Sequence, residues 1–151
     1  MKLHQLERAQ TVPASLERVF AFFKRPENLE RLTPSGLGFR ILTPRPIVMR
    51  EGALIDYTIR LSGLPVRWTT LITRYEPPLR FVDEQLRGPY AYWHHTHEFR
   101  EVAGGTEVSD RVVYALPLGA LGGLLHRLYV RQELERIFGY RAEAIRSAFA
   151  G

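Results

Sequence analysis

The residues best suited to chemistry lie in one short run, His94-His95-Thr96-His97, within a stretch that alternates like a β-strand. Successive side chains of a strand point to opposite faces, so His95 and His97 share a face with Trp93 and Phe99. This set carries the larger apolar groups and is therefore predicted to point inward. The two imidazoles would then lie about 6–7 Å apart, where they could bind a metal, transfer a proton or hydrogen-bond a buried carboxylate.

The same alternation predicts inward faces for three other strands of the chain. Their inward residues are Trp68, Thr70 and Ile72; Phe81, Asp83 and Gln85; and Val108, Asp110, Val112 and Tyr114. An inward aspartate beside an inward histidine orients the imidazole and shifts its pKa, an arrangement that suits general acid–base chemistry. Such a buried pair is at least as often structural, and we favour hydrogen bonds that tune the polarity of the interior.

Metal binding and nucleophilic catalysis are less favoured by the sequence. Two imidazoles need a third ligand, for which Asp83 or Asp110 would have to lie adjacent, and no HExxH or facial-triad spacing occurs. The chain has no cysteine and no GxSxG motif. The glycine-rich segment 119–123 follows no parallel strand, which disfavours a dinucleotide site. We therefore expect neither a metal nor another cofactor.

Composition indicates one globular domain, residues 1–151, with 45% hydrophobic residues. No apolar run approaches the roughly 18 residues of a membrane span, and residues 1–10 lack the apolar core of a signal peptide, so a cytoplasmic protein is expected. The net charge of +5 comes from nineteen arginines and two lysines, scattered among acids. That scatter favours a solvated surface over a nucleic-acid site. The preference for arginine fits a thermophilic source or a GC-rich genome.

Helical periodicity occurs at both ends of the chain. Ser15 is predicted to cap a helix whose apolar face includes Val19, Phe20 and Phe23, and a second short helix covers Glu27–Leu32. A long amphipathic helix is predicted from Leu118 to Phe149. Its apolar stripe, expected to be covered, comprises Leu121, Leu124, Leu125, Leu128, Leu134, Ile137, Phe138, Ile145 and Phe149, with the arginines, Arg141 among them, assigned to the solvent side.

Between the helices the period changes to two, which indicates strands. With an initial strand at Leu3–Val12, about seven are predicted, the others being Phe39–Leu42, Ala53–Leu61, Val66–Tyr75, Phe81–Leu86, Tyr90–Glu101 and Thr106–Leu116. Turns such as Ser62-Gly63-Leu64-Pro65 are too short for parallel crossovers, so the sheet should be antiparallel. A curved sheet around the long helix buries both elements, which predicts an α+β fold.

The element order and several segments resemble the START/Bet v 1-like superfamily, also called the helix-grip fold or SRPBCC. The likeness is strongest to bacterial ligand-binding members near the polyketide cyclase/dehydrase and CoxG groups. The segments are Arg67-Trp68, Tyr75-Glu76-Pro77-Pro78, Phe81-Val82-Asp83-Glu84-Gln85, Gly88-Pro89-Tyr90, residues 93–99 and residues 131–141. The resemblance implies a cavity between sheet and helix that holds a hydrophobic or amphipathic small molecule, such as a lipid, an isoprenoid or a polyketide-like compound.

On this basis we predict ligand binding for transport or sequestration, rather than catalysis. One alternative is an enzyme of the polyketide cyclase/dehydrase type with His95 or His97 as acid–base; another is a protein-interaction or maturation module with a collapsed cavity. The predicted ligand-binding residues are Trp68, Thr70, Ile72, Phe81, Asp83, Gln85, Trp93, His95, His97, Phe99, Asp110, Tyr114, Leu121, Leu125, Leu128 and Phe138.

Two apolar segments are expected at the mouth of such a cavity. In the resembling proteins, segments equivalent to Leu61–Pro65 and Leu116–Leu128 border the opening. Here they could form a lid or touch a membrane transiently while a lipid is delivered. The favoured interpretation is a simple hydrophobic cap on the end of the sheet.

Overall fold

The structure, a computed structural model, describes residues 1–61 and 63–150. Within them, seven strands form one antiparallel sheet in the order β1-β7-β6-β5-β4-β3-β2. The strands are β1 His4–Val12, β2 Arg40–Ile41, β3 Leu54–Leu61, β4 Leu64–Glu76, β5 Arg80–Arg87, β6 Tyr92–Val102 and β7 Gly105–Ala115. The predicted antiparallel sheet of about seven strands is confirmed.

Short helices follow β1, as the sequence predicts. Helix α1, Leu16–Phe23, begins after Ser15, whose hydroxyl accepts a hydrogen bond of 3.2 Å from the backbone N–H of Arg18. Two 3₁₀ helices, Pro26–Leu32 and Ser35–Leu37, come next. Helix α1 buries Val19, Phe20 and Phe23 against Phe81 and Phe99 of the sheet, which closes one end of the core.

A continuous C-terminal helix spans residues 119–148 in three parts. These are α2 at Gly119–Leu125, a π-helical segment at His126–Val130, and α3 at Arg131–Ala148. At 1.5 Å per residue it is about 45 Å long. The π-helical segment has a wider i→i+5 hydrogen-bonding pattern, which rotates the side chains before it relative to those of α3. No helix within residues 1–61 and 63–150 is both long and apolar enough to cross a membrane.

The first two parts of this helix, α2 and the π-helical segment, correct the prediction that its whole apolar stripe is covered. Leu121, Leu124 and Leu128 are 55%, 42% and 65% exposed. The three buried apolar clusters of the described residues draw on α3 but not on α2. Leucine spacing shows which side chains share a helical face, but it cannot show whether another element reaches that face.

The β3–β4 hairpin also differs from the prediction. Leu64 and Pro65 were predicted as turn residues, yet they belong to β4, with Leu64 opposite Leu61 and Pro65 opposite Arg60. Ser62, the first residue of the predicted turn, lies outside the described residues. The proline belongs to a strand end beside the turn, a position that tolerates a residue without a backbone N–H.

The inward faces predicted from alternation are confirmed for β6 and β7. Trp93, His95, His97 and Phe99 of β6 are all buried, and every second residue of β7 from Thr106 to Tyr114 is buried too. Along β6, Trp93 belongs to one apolar cluster and Phe99 to another. The two histidines therefore lie between two apolar regions of the core.

Candidate functional site

A cavity of about 400 Å³ lies between the concave face of the sheet and the C-terminal helix. Its walls are mostly apolar, and its size falls in the range of small-molecule sites. An open cavity of this volume does not fit the collapsed-cavity alternative. Ten of the predicted ligand-binding residues line it: Trp68, Thr70, Ile72, Phe81, Asp83, Trp93, His95, His97, Leu125 and Phe138.

The structure places the other six predicted residues elsewhere. Two of them, Leu121 and Leu128, face solvent. Gln85 forms two hydrogen bonds with the backbone of Tyr90, of 2.8 and 3.1 Å, and so fixes the loop after β5. Phe99 packs in the cluster around α1.

Tyr114 lies at a second contact, between the sheet and the π-helical segment. Its hydroxyl is 2.7 Å from Nε2 of His126, and the His126 ring stacks on His4 with centroids 3.5 Å apart. This contact ties the start of β1 to the helix. The sixth residue, Asp110, belongs to the polar cluster described next and lies behind the histidines that line the cavity.

Strands β5, β6 and β7 bring two aspartates and two histidines together in crossed pairs. Nε2 of His95 lies 2.8 Å from Oδ1 of Asp110, and Nε2 of His97 lies 2.6 Å from Oδ2 of Asp83. A carboxylate can only accept, so both Nε2 atoms carry the hydrogen and donate. The imidazole rings stack with centroids 3.7 Å apart, at an angle of 26°.

Arg141 of α3 completes this cluster, and the sequence analysis missed it. Its Nε donates to Oδ2 of Asp110 at 3.1 Å, and its Nη2 donates to Oδ1 at 3.0 Å. Arg141 is only 6% exposed, so its assignment to the solvent side was wrong. The signal was present in the spacing, since Leu134, Phe138, Arg141 and Ile145 follow one another at steps of four, three and four along the buried face.

Charge and burial set the protonation of the cluster. Burial works to raise the pKa of Asp110, but the Arg141 guanidinium and the hydrogen bond from His95 outweigh it and hold that pKa well below its usual range. Burial is likewise outweighed at Asp83, whose pKa is lowered by the hydrogen bond from His97 and the nearby positive groups. Burial and the adjacent His95 lower the pKa of His97 to about 4. A neutral His97 fits its contacts, because its Nδ1 lies 3.4 Å from Nη2 of Arg141 and can accept from it.

Two aromatic residues of the cavity wall add polar atoms. Tyr57, which the sequence analysis missed although it alternates with Ile55 and Ile59, lines the cavity and stacks on Trp68. Burial raises the pKa of Tyr57, so its phenol stays neutral. The buried indole N–H of Trp68 has no hydrogen-bond acceptor among the described residues, and it belongs to a residue that lines the cavity.

The cluster also contains a set of potential metal ligands. One donor atom each from Asp83, His95 and His97 lies within 4.8 Å of the other two, so the third ligand that a metal site needs is adjacent. The Arg141 guanidinium, 3.4 Å from His97, opposes a cation at this position. The crossed hydrogen bonds therefore describe the cluster better than a metal centre does.

Comparison with known proteins agrees with this architecture. A family model described as polyketide cyclase/dehydrase and lipid transport matches residues 12–138. The chain belongs to this family. Its resemblance to the START/Bet v 1-like superfamily, and the helix-grip fold that the resemblance implies, are thereby confirmed. No curated protein sequence matches the chain significantly.

Several solved structures share the fold of this family member. The protein TTHA0849 from Thermus thermophilus is 20% identical with a TM-score of 0.72, over 96% of this chain and 99% of that one. The di-domain ARO/CYC StfQ from the steffimycin biosynthetic pathway is 14% identical with a TM-score of 0.77, over 98% of this chain and 50% of StfQ. Ara h 8.0201 is 14% identical with a TM-score of 0.65, over 98% of each chain. At these identities the likeness shows the fold alone.

Proposed function

We propose that this protein binds a hydrophobic or amphipathic small molecule in its cavity, for transport or sequestration. The observation that carries the proposal is a largely apolar cavity of about 400 Å³ with one compact polar cluster in its wall. Apolar walls favour an apolar ligand because its burial removes hydrocarbon surface from water. A few fixed polar groups then orient it.

Two features support a polar anchor for the ligand. Asp83, His95, His97 and Arg141 all line the cavity and are held by hydrogen bonds within the cluster, His95 through Asp110. The N–H of Trp68 lacks an acceptor among the described residues, and a buried polar group without a partner is rare in native proteins. An oxygen atom of the ligand would supply that acceptor.

The experiment that tests this proposal begins with native mass spectrometry of the purified protein, followed by denaturing extraction of any bound compound. Trp68 and Trp93 line the cavity, so their fluorescence reports on titration with long-chain alcohols. Ile137→Trp should fill the cavity and abolish the saturable change. Leu124→Trp, on the exposed part of the same helix, is the matched control and should leave it intact. Equal binding by both variants, or no saturable binding by the unmodified protein, would refute the proposal.

Acid–base catalysis is a second candidate, favoured by the two histidines that pair with carboxylates at the cavity wall. In this case His95 or His97 would move a proton on a polyketide-like substrate. The test is turnover of a poly-ketone by the unmodified protein and by His95→Gln. Loss of turnover with retained binding would support catalysis, and absence of turnover in both would leave binding as the function.

Transient membrane contact during delivery is supported by the exposed leucines at the start of the C-terminal helix. Leu118 and Leu125 line the cavity and are also 65% and 43% exposed. Residues 118–132 contain Arg127 and Arg131 but no acidic residue, a combination that suits an anionic lipid surface. Co-sedimentation with anionic vesicles should fall in Leu121→Glu, while cavity binding of a soluble ligand should not change.

A further inference from the structure

The polar cluster at the cavity wall carries no net positive charge. Asp83 and Asp110 contribute two negative charges and Arg141 one positive charge, so these three groups sum to −1. His97 is neutral, because its Nε2 donates to Asp83 while its Nδ1 can accept from Arg141, so the imidazoles can bring the sum at most to zero. The charge of the guanidinium is already compensated in part, since its Nε and Nη2 both donate to Asp110.

From this balance we infer that the cavity takes a ligand whose polar end is uncharged, such as a long-chain alcohol or another hydroxyl-bearing amphiphile, rather than a fatty-acid anion. The inference rests on the proposed function and names the class of ligand for the same site. A ligand carboxylate at the cluster would face Asp83, while the one guanidinium there, that of Arg141, is already paired with Asp110. A hydroxyl can donate to a carboxylate or to a neutral imidazole nitrogen, and it can accept from an N–H donor.

Other charges near the cavity do not reverse this conclusion. Glu133 also lines the cavity and is paired with Arg136, while Arg25 lines it from an exposed position. The overall net charge of +5 favours anions, but that attraction acts through solvent and is screened by salt. The buried cluster is screened much less. Measurement at about 0.5 M salt, where the Debye length is only a few ångströms, isolates the contribution of the cluster.

The test compares three ligands with one chain length: decanol, methyl decanoate and decanoate. Their affinities are measured at neutral pH and high salt, below the concentration at which they aggregate, by tryptophan fluorescence and calorimetry. Decanol is expected to bind at least tenfold more tightly than decanoate, with the uncharged ester closer to decanol. In Asp83→Asn, which removes one negative charge with little change of shape, the gap between decanol and decanoate should narrow severalfold.

The outcomes separate the two proposals. If decanoate binds the unmodified protein as tightly as decanol does, the inference is overturned while the proposed function stands. A gap that persists unchanged in Asp83→Asn overturns the assignment of selectivity to the cluster. If none of the three ligands binds, the proposed function fails and the inference fails with it. The comparison of the ester with the acid needs no variant, so it holds even if Asp83→Asn does not fold.

Discussion

Replacement of Arg141 by methionine tests whether the guanidinium is a buried part of the core. Methionine keeps much of the length of the side chain but removes both hydrogen bonds to Asp110, which is itself only 6% exposed. Removing one partner of a buried ion pair typically costs about 3–5 kcal/mol, because the remaining charge is left without compensation. A domain of this kind has a free energy of unfolding of about 5–15 kcal/mol in total, so the variant should lose roughly a fifth of its stability or more.

Urea unfolding monitored by circular dichroism measures this loss as a lower urea concentration at the unfolding midpoint, with an unchanged dependence of the unfolding free energy on urea (m-value). Arg146→Met is the matched control, since Arg146 lies on the same helix, pairs with Glu143 and has a side chain that is 64% exposed. Exposed pairs contribute about 0–1 kcal/mol, so this variant should remain close to the unmodified protein. Combining Arg141→Met with Asp110→Asn removes the orphaned charge, and the double variant should be more stable than the sum of the single effects predicts by at least about 1 kcal/mol.

A result contrary to this reasoning is easy to recognise. If Arg141→Met costs less than about 1 kcal/mol, or no more than Arg146→Met, then the guanidinium does not compensate Asp110 in the folded protein. Strictly additive effects in the double variant would lead to the same conclusion, since coupled residues in one network are not additive. Either outcome would also remove the pairing of Arg141 with Asp110 on which the inferred class of ligand depends.

Three further predictions concern acid sensitivity, the helix and its glycines. The pKa of His97 is lowered from 6.5 to about 4, so the unfolded chain takes up a proton first. The stability that depends on a neutral His97 is therefore fully present above about pH 6.5, and the free energy of unfolding should fall by about 3 kcal/mol as the pH drops to 4. Urea unfolding at a series of pH values measures this loss, and His97→Gln should reduce it. Leu134→Ala should cost about 2–5 kcal/mol in the same assay because Leu134 is buried, whereas Leu128→Ala should change stability by less than about 0.5 kcal/mol. A Cβ added at Gly122 would lie 2.1 Å from the Pro117 carbonyl oxygen, whereas a Cβ added at Gly123 would contact nothing. In thermal unfolding, Gly122→Ala should therefore be destabilised, and Gly123→Ala should be unchanged or slightly stabilised.

The sequence predicts the sheet well because alternation leaves only two choices of face for each strand. Large apolar residues such as Trp93 and Phe99 decide that choice, and His95 and His97 follow from it. The identity of the inward polar residues could therefore be predicted. Their pairing could not, since it depends on which residues of neighbouring strands stand opposite one another, and that register is not visible in a single strand.

The helix was harder to predict because charge and exposure are only loosely linked. Arg141 was assigned to solvent on its charge, yet Asp110 lies across from it and compensates the cost of its burial. Leu121 and Leu128 were assigned to the core on their apolarity, yet no other element of the described structure covers them. In both cases the deciding factor is a partner from a distant part of the chain.

The crossed hydrogen bonds also constrain how the strands align during folding. In the register of the sheet, Asp83 stands opposite His95 and Asp110 opposite His97, while each aspartate accepts from the other histidine. A shift of β5 or β7 by one residue would turn its aspartate to the outer face. An imidazole N–H would then be left in an apolar interior without an acceptor, at a cost of about 1–3 kcal/mol. The aspartates and histidines proposed to select the ligand therefore also disfavour a misaligned sheet. Substitutions in this cluster that alter ligand preference are expected to weaken the alignment of β5, β6 and β7 as well.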